Sequence, residues 1–154
     1  MKERLGDAVY GEGETDLETV VAEQLLQKQL TLAVAESCTG GMIASKLVEY
    51  PGISAALVEG CVTYSNEAKM HRLGVKAETL EKYGAVSEET AKEMAEGIAR
   101  TSGADIGLAT TGVAGPESSE GKRSVWFILR LLIKEKRRYT PVILSESGTK
   151  SENV

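Results

Sequence analysis

The chain has 154 residues, of which 42% are hydrophobic and 27% charged, and this size and composition fit one globular domain. Its 18 basic and 23 acidic residues give a net charge of -5, which argues against a general binder of nucleic-acid backbones. The two cysteines, Cys38 and Cys61, lack metal-site spacing, and the sequence shows neither a secretory segment nor a membrane-spanning one. We therefore expect a cytoplasmic protein that binds neither nucleic acid nor membranes.

Residues 1–14 are polar and carry glycines without an apolar period, which predicts a flexible lead-in. After them, short apolar runs typical of strands alternate with segments whose apolar residues recur at helical spacing. The predicted helices cover 16–29, 39–50, 66–74, 77–84 and 87–102. The predicted strands cover 30–36, 57–65 and the first part of 104–116. This alternation predicts an α/β fold, a three-layer α/β/α domain with a largely parallel or mixed central sheet.

Polar residues at the predicted helix starts indicate where three helices begin. Thr15 and Glu18 have the spacing of a capping box before the first helix. Asn66 is a candidate N-cap for the short third helix, and Ser87 for the long fifth one. Two glutamates directly follow Ser87, near the positive end of the helix dipole, so this last helix has the clearest pattern.

Two loops of small and hydroxyl-bearing residues, "ESCTGG" and "TTGVAGP", follow predicted strands. In open α/β sheets, ligands bind beyond the carboxyl ends of the strands, where loop amides and helix N-termini converge. Ser37 would stand at the first strand-to-helix turn, and the next helix would open with free N–H groups for an anion or an oxyanion at Thr39, Gly40 and Gly41. The second loop offers a further backbone and hydroxyl cradle through Thr110, Thr111, Gly112 and Gly115.

Ser37 becomes a nucleophile only if a nearby base accepts its proton. The sole histidine, His71, has no aspartate placed to orient it, so the pattern does not support a Ser-His-Asp triad. Lys69 is the better candidate, because it lies in the first turn after the second strand, where desolvation would lower its pKa. Tyr64 lies five residues earlier and could pass the proton or orient the amine.

Each of these residues also has an ordinary structural interpretation. Taken alone, Ser37 fits an N-cap or turn, Tyr64 a half-buried strand position, and Lys69 a solvated helix position. Cys38 is either a rival nucleophile or a small buried thiol. Glu36 either orients a substrate or caps a loop amide. The residues alone leave these alternatives open.

Six strings, taken together and in order, resemble the C-terminal domain of the CinA family, the competence- and damage-inducible proteins that include nicotinamide-nucleotide amidases. The resemblance covers about residues 15–122, and the lead-in "VYGEGE" looks like the joint to an N-terminal domain in longer members. The strings are "AESCTGG", "PGIS", "TYSNEAKM", "LGV", "YGAVSEETAKEMAEG" and "ADIGLATTGVAGP".

The resemblance implies hydrolysis of the carboxamide of nicotinamide mononucleotide to nicotinate mononucleotide and ammonia, without metal or cofactor. Ser37 matches the family's nucleophile, Tyr64 and Lys69 its proton-handling partners, and Thr111 a substrate-contacting position. Family likeness also implies a homo-oligomer, in the form of a dimer, and a small nucleotide as the substrate. The alternative is a catalytically inactive nucleotide-binding or scaffolding module of a competence- and damage-inducible protein.

Residues 123–154 depart from the family pattern. Reading the codons with a one-base shift lets residues 123–130 decode as Val-Gly-Leu-Val-Tyr-Ile-Ala, as the family would have it, which suggests a frameshift near codon 122. In the frame as given, "VWFILRLLI" is apolar enough to pair as an edge strand, and the final ten residues are predicted to be disordered. This tail lacks the family's last helix and its arginines, so it bears on whether the chain is active.

Overall fold

Helices and strands alternate along the chain in the computed structural model, which describes residues 16–114, 125–133 and 138–145. The helices are α1 (Leu17–Gln27), α2 (Met42–Val48), α3 (Asn66–Ala68), α4 (Ala77–Tyr83) and α5 (Glu88–Ser102). A 3₁₀ turn covers Ile53–Ala55, and a π-helical turn, Lys69–Leu73, directly continues α3. The strands are β1 (Leu32–Glu36), β2 (Leu57–Val62), β3 (Ile106–Ala114), β4 (Val125–Ile133) and β5 (Arg138–Ser145).

The five strands form one mixed sheet in the order β2-β1-β3-β4-β5. Strand β1 lies between β2 and β3 and runs parallel to both. Strand β4 is antiparallel to β3, and β5 is antiparallel to β4. The predicted α/β fold class with a mixed sheet is therefore confirmed, and the carboxyl ends of β1, β2 and β3 share one edge.

Strand β1 is buried along its whole length because both faces of the sheet are covered. Ala33 and Ala35 belong to a core formed with α4, α5 and the π-helical turn. Leu32 and Val34 point the other way, into a core formed with α1, α2 and the 3₁₀ turn. Successive residues of a strand face opposite sides of a sheet, so this one strand serves both cores of the three layers. Among the described helices, none has the length and apolar character to cross a bilayer.

The helix starts agree with the predictions at one position and differ at another. Ser87 caps α5, as predicted, because its side chain accepts the Thr90 N–H at 3.1 Å. The N-cap of α3 is Ser65 rather than Asn66, and its hydroxyl accepts the Ala68 N–H at 3.1 Å. Thr15 and the predicted lead-in lie outside the described residues.

Two strands differ in length from the predictions. Strand β2 ends at Val62, three residues early, and Ser65 already serves as the N-cap of the following helix. Strand β3 runs on to Ala114, so "TTGVA" is a strand and not a loop. The cause is β4, which pairs with β3 along its full length. Strand β4 is itself the predicted apolar strand, but it is not at the sheet edge, because β5 pairs with its other side. Of the last ten residues, which were predicted to be disordered, Ser145 ends β5 and residues 146–154 lie outside the described part of the chain.

Candidate active site

Ser37 directly follows β1 at the carboxyl edge of the parallel strands. Its N–H donates to the carbonyl of Thr110 at 3.1 Å, which ties it to β3. On the other side, the Thr63 N–H donates to the carbonyl of Glu36 at 2.8 Å, the bond by which Glu36 pairs with the end of β2. The sheet therefore holds the backbone beside Ser37 from both sides.

Lys69 reaches back from the π-helical turn to this edge. Its Nζ lies 3.1 Å from Ser37 Oγ and donates to the carbonyl oxygens of Thr63 and Tyr64, each at 2.9 Å. The lysine is 1% exposed and Ser37 is 8% exposed. A lysine this deeply buried must have its polar head satisfied by the protein, and the two carbonyl oxygens fix its position. The Ser37 hydroxyl and the Lys69 amine therefore form a direct, shielded pair.

The π-helical turn that carries Lys69 is anchored at its far end. The Arg100 guanidinium of α5 donates to the carbonyl of Leu73, the last residue of the turn, at 2.9 Å. Arg72 pairs with Glu59 of β2 and donates to Thr101 of α5 at 2.8 Å. Short π-helical turns are rare and are frequently found at functional sites. The turn thus connects the lysine to the sheet and to the longest helix.

Glu36, the last residue of β1, is buried and accepts three backbone N–H groups of the α2 start. Its two carboxylate oxygens accept from Gly41 at 3.0 Å, Ile43 at 3.1 Å and Ala44 at 2.9 Å. These are the contacts of the capping alternative, and the carboxylate is 1% exposed. A negative charge is stabilised at a helix N-terminus by the helix dipole and its unpaired N–H groups. Here the protein supplies that anion itself.

The amides predicted to be free for a ligand are therefore largely engaged. The N–H of Gly41 belongs to Glu36, and the N–H of Gly40 donates to the carbonyl of Ser37 at 3.1 Å. The prediction of an open anion cradle at the α2 start is wrong for these two residues. The capping role considered for Glu36 accounts for this, because its carboxylate on the preceding strand end occupies the place of an external anion.

Replacing Glu36 by glutamine is expected to lower the free energy of unfolding by roughly 2–4 kcal/mol, since hydrogen bonds to a charged group are lost and an amide N–H₂ faces backbone donors. Urea unfolding followed by circular dichroism measures this loss. Glu93→Gln is the control, because Glu93 also accepts a backbone N–H, that of Lys76 at 2.8 Å, and the Thr79 hydroxyl, but is only half-buried. Equal losses in the two variants would contradict a special role for the buried carboxylate.

Tyr64 contributes to the site through its main chain. Its carbonyl oxygen accepts from Lys69, whereas the side chain is 74% exposed. The structure therefore shows Tyr64 orienting the amine by its backbone, and the phenol group faces solvent in this state.

The predicted hydroxyl residues lie beside Ser37 but mostly contact one another. Thr39 Oγ1 and Thr110 Oγ1 are 2.8 Å apart, and Thr111 Oγ1 donates to the carbonyl of Ala85 at 2.8 Å. Gly112 lies within β3 and Gly115 lies outside the described residues. Thr110 and Thr111 are both buried in β3, and as successive strand residues their side chains face opposite sides of the sheet.

Cys38, the rival nucleophile, is a poor one in this environment. Partial burial raises the pKa of its thiol, and this outweighs the lowering by the Cys38 and Thr39 N–H groups and by nearby Lys69. The thiolate is the reactive form, so a raised pKa leaves less of it at neutral pH. His71 is also excluded from the pair, because it lies on the surface beside Glu67.

One residue next to the pair was missed by sequence reasoning. Thr63 is 2% exposed and its carbonyl holds Lys69, yet its hydroxyl was not singled out. The alternation of side chains between the two faces of β2 could have identified it. This alternation places Thr63 on the same face as Cys61, toward the core formed with α5.

This geometry defines a class of protein: an α/β domain with a mixed sheet and a buried serine–lysine pair at the carboxyl edge of its parallel strands. The family model described as the CinA C-terminal domain matches residues 14–149. The chain therefore belongs to the CinA C-terminal domain family, whose proteins are named for competence and damage induction.

Relatives of known sequence agree with this assignment. A competence-damage inducible protein of Clostridium acetobutylicum is 59% identical over 128 residues, which are 83% of this chain and 31% of the relative. One from Alkaliphilus metalliredigens is 62% identical over 116 residues, 75% of this chain and 28% of the relative. The chain thus spans less than a third of the length of these relatives.

Solved structures share the fold. The competence damage-inducible protein A of Klebsiella pneumoniae has a TM-score of 0.78 and 37% identity, covering 83% of this chain and 79% of that one. A CinA superfamily protein of Escherichia coli has a TM-score of 0.78 and 34% identity, covering 94% of this chain and 86% of that one. The fold described above is therefore that of the CinA superfamily.

Proposed function

We propose that this domain is a nicotinamide-nucleotide amidase, which hydrolyses the carboxamide of nicotinamide mononucleotide to nicotinate mononucleotide and ammonia. The observation that carries the proposal is the 3.1 Å contact between Lys69 Nζ and Ser37 Oγ in a shielded position. The choice of substrate rests on the resemblance of the site motifs to the amidases of the CinA family.

The geometry suits a lysine that acts as a base. A neutral amine has two N–H donors and one lone pair. The carbonyl oxygens of Thr63 and Tyr64 accept the two donors, so the lone pair can face the Ser37 hydroxyl. A nucleophile and a base within direct hydrogen-bond reach is the arrangement that covalent catalysis needs.

Acylation then proceeds in balanced steps. Lys69 takes the Ser37 proton while Ser37 Oγ bonds to the carboxamide carbon, and the carbonyl oxygen becomes an oxyanion. The C–N bond breaks as the proton on Lys69 passes to the leaving nitrogen, which departs as ammonia. Water attacks the resulting ester with Lys69 as base, and the proton returns to Ser37 as nicotinate mononucleotide leaves.

Two turn amides are the best candidates to stabilise the oxyanion. The N–H groups of Cys38 and Thr39 act on the Cys38 sulfur, where they lower the pKa of the thiol. Sulfur is a weak acceptor, so these donors are far less committed than the N–H groups of Gly40 and Gly41. Loss of one oxyanion donor typically raises the barrier by about 3 kcal/mol. We place the oxyanion against these two amides for that reason.

The test is ammonia release from nicotinamide mononucleotide, measured for the chain as given and for Ser37→Ala. We expect steady release that falls to background in Ser37→Ala, because the nucleophile is gone. Activity that survives in Ser37→Ala and disappears in Cys38→Ala would assign the reaction to the thiol instead. Nucleotide binding by calorimetry, without ammonia from either protein, would favour the inactive nucleotide-binding module.

A further inference from the structure

The hydroxyl of Thr63 is buried without a hydrogen bond. Thr63 is 2% exposed, and within the described part of the chain its Oγ1 has no partner. Buried polar groups in native proteins are nearly always paired, so an unpaired one next to a reactive pair calls for an explanation. Its place in the sheet supplies one.

The strand register puts Thr63 beside Ser37. Ala35 pairs with Cys61, and Glu36 pairs with Val62. The bond from the Thr63 N–H to the Glu36 carbonyl belongs to the Glu36–Val62 pair, and continuing the same register by one residue places Thr63 opposite Ser37. Paired residues of neighbouring strands point to the same face of a sheet. The two hydroxyl-bearing side chains therefore stand side by side, on the face from which Lys69 reaches Ser37.

We propose that the Thr63 hydroxyl donates a hydrogen bond to Ser37 Oγ as Lys69 removes the Ser37 proton. This inference rests on the proposed role of Ser37 as nucleophile. In the resting state the Ser37 oxygen is neutral and has little need of another donor. Negative charge develops on it during attack, and rotation of the Thr63 side chain about its Cα–Cβ bond would turn the hydroxyl toward it. Thr63 keeps its own proton throughout, so no further acid or base is required.

An interaction that forms only in the reacting state accelerates the chemical step, whereas one present throughout does not. A residue that donates only in the reacting state is expected to have an unpaired hydroxyl in the resting state, as Thr63 does within the described residues. In this proposal the Thr63 hydroxyl donates to Ser37 Oγ and not to the substrate. Removing the hydroxyl should therefore lower kcat and leave KM nearly unchanged.

Two substitutions separate this role from a structural one. Thr63→Val keeps the shape and removes the hydroxyl, so it takes away an unpaired buried polar group and should leave the unfolding midpoint unchanged or raised. Thr63→Ser keeps the hydroxyl and removes a buried methyl group, so it should lower the midpoint. Stability and reactivity are thus expected to rank the two variants in opposite orders.

Reactivity is measured as the rate at which a fluorophosphonate probe labels Ser37, followed by intact-protein mass spectrometry with Ser37→Ala as the blank. We expect labelling to slow roughly 10-fold or more in Thr63→Val, in line with the loss of a donor to developing charge. Thr63→Ser should label at close to the unsubstituted rate. Ammonia release from nicotinamide mononucleotide is measured in parallel for kcat and KM.

Equal labelling rates in Thr63→Val and the unsubstituted chain would overturn the inference. So would a loss of both rate and stability in Thr63→Val, or a failure of the probe to label the unsubstituted chain at Ser37. Slow labelling of Thr63→Val in a chain that releases no ammonia would support the inference while refuting the proposed substrate. The two proposals can therefore fail separately.

Discussion

Replacing Lys69 by methionine is expected to lower ammonia release from nicotinamide mononucleotide by about 10⁴-fold or more, as removal of a member of a nucleophile–base unit does in serine hydrolases. Methionine has similar length and no charge, so the buried position stays filled. The variant loses the group that lies 3.1 Å from Ser37 Oγ. A coupled ammonia assay measures the rate, and circular dichroism shows whether the fold is retained.

Two further variants test whether the loss of activity in Lys69→Met comes from loss of the base. Lys69→Arg keeps a positive charge, but a guanidinium does not lose its proton in proteins, so it should be as inactive as the methionine variant. Lys28→Met removes an exposed lysine at the end of α1 and should keep full activity. A folded Lys69→Met protein that retains more than about a tenth of the rate would show that another group activates Ser37.

Much of the architecture could be predicted because short stretches of sequence determine the secondary structure of these elements. The apolar run before Ser37 and the periodic pattern of α5 each report their own secondary structure, and the Ser87 cap lies where its hydroxyl pattern indicates. Alternation of such elements then implies parallel strands with a common carboxyl edge. That edge was enough to suggest that Ser37 and Lys69 could meet.

Other residues have roles set by non-local geometry. For Glu36 the sequence left open whether it orients a substrate or caps a loop amide, and the start of α2 folds back over its carboxylate. Tyr64 was singled out for its phenol, whereas its carbonyl holds the lysine. Main-chain contacts of this kind leave no residue-type signal, because any amino acid offers the same carbonyl.

Strand β3 illustrates a second limit. Glycines and threonines in "TTGVAGP" favour a loop by local preference, yet Thr110–Ala114 pair with β4 in an extended strand. Pairing with a neighbour overrides weak local preference in sheets. The position of Thr110 and Thr111 on an interior strand, rather than in a loop, is also why both are buried.

Replacing Gly97 by alanine is expected to destabilise the protein by about 3 kcal/mol through overpacking. In an ordinary helix interior the same change stabilises the protein by about 1 kcal/mol. A loss of stability in Gly97→Ala would therefore by itself indicate overpacking. Gly97 lies within α5, where an added Cβ would be 2.8 Å from the carbonyl carbon of Leu73 and 2.9 Å from its Cβ, with the carbonyl oxygen closer still. Backbone atoms cannot move aside as a flexible side chain can.

The change should also reduce activity, because Leu73 ends the π-helical turn that begins at Lys69. Pushing that turn away from α5 pulls the amine from Ser37. Urea unfolding measures the stability, and fluorophosphonate labelling of Ser37 in the folded fraction measures the displacement. Gly103→Ala is the control, since an added Cβ there meets nothing within 4 Å and only the left-handed backbone is strained. If Gly97→Ala were as stable and reactive as the unsubstituted chain, the close packing of α5 against the lysine-bearing turn would not be what positions the base.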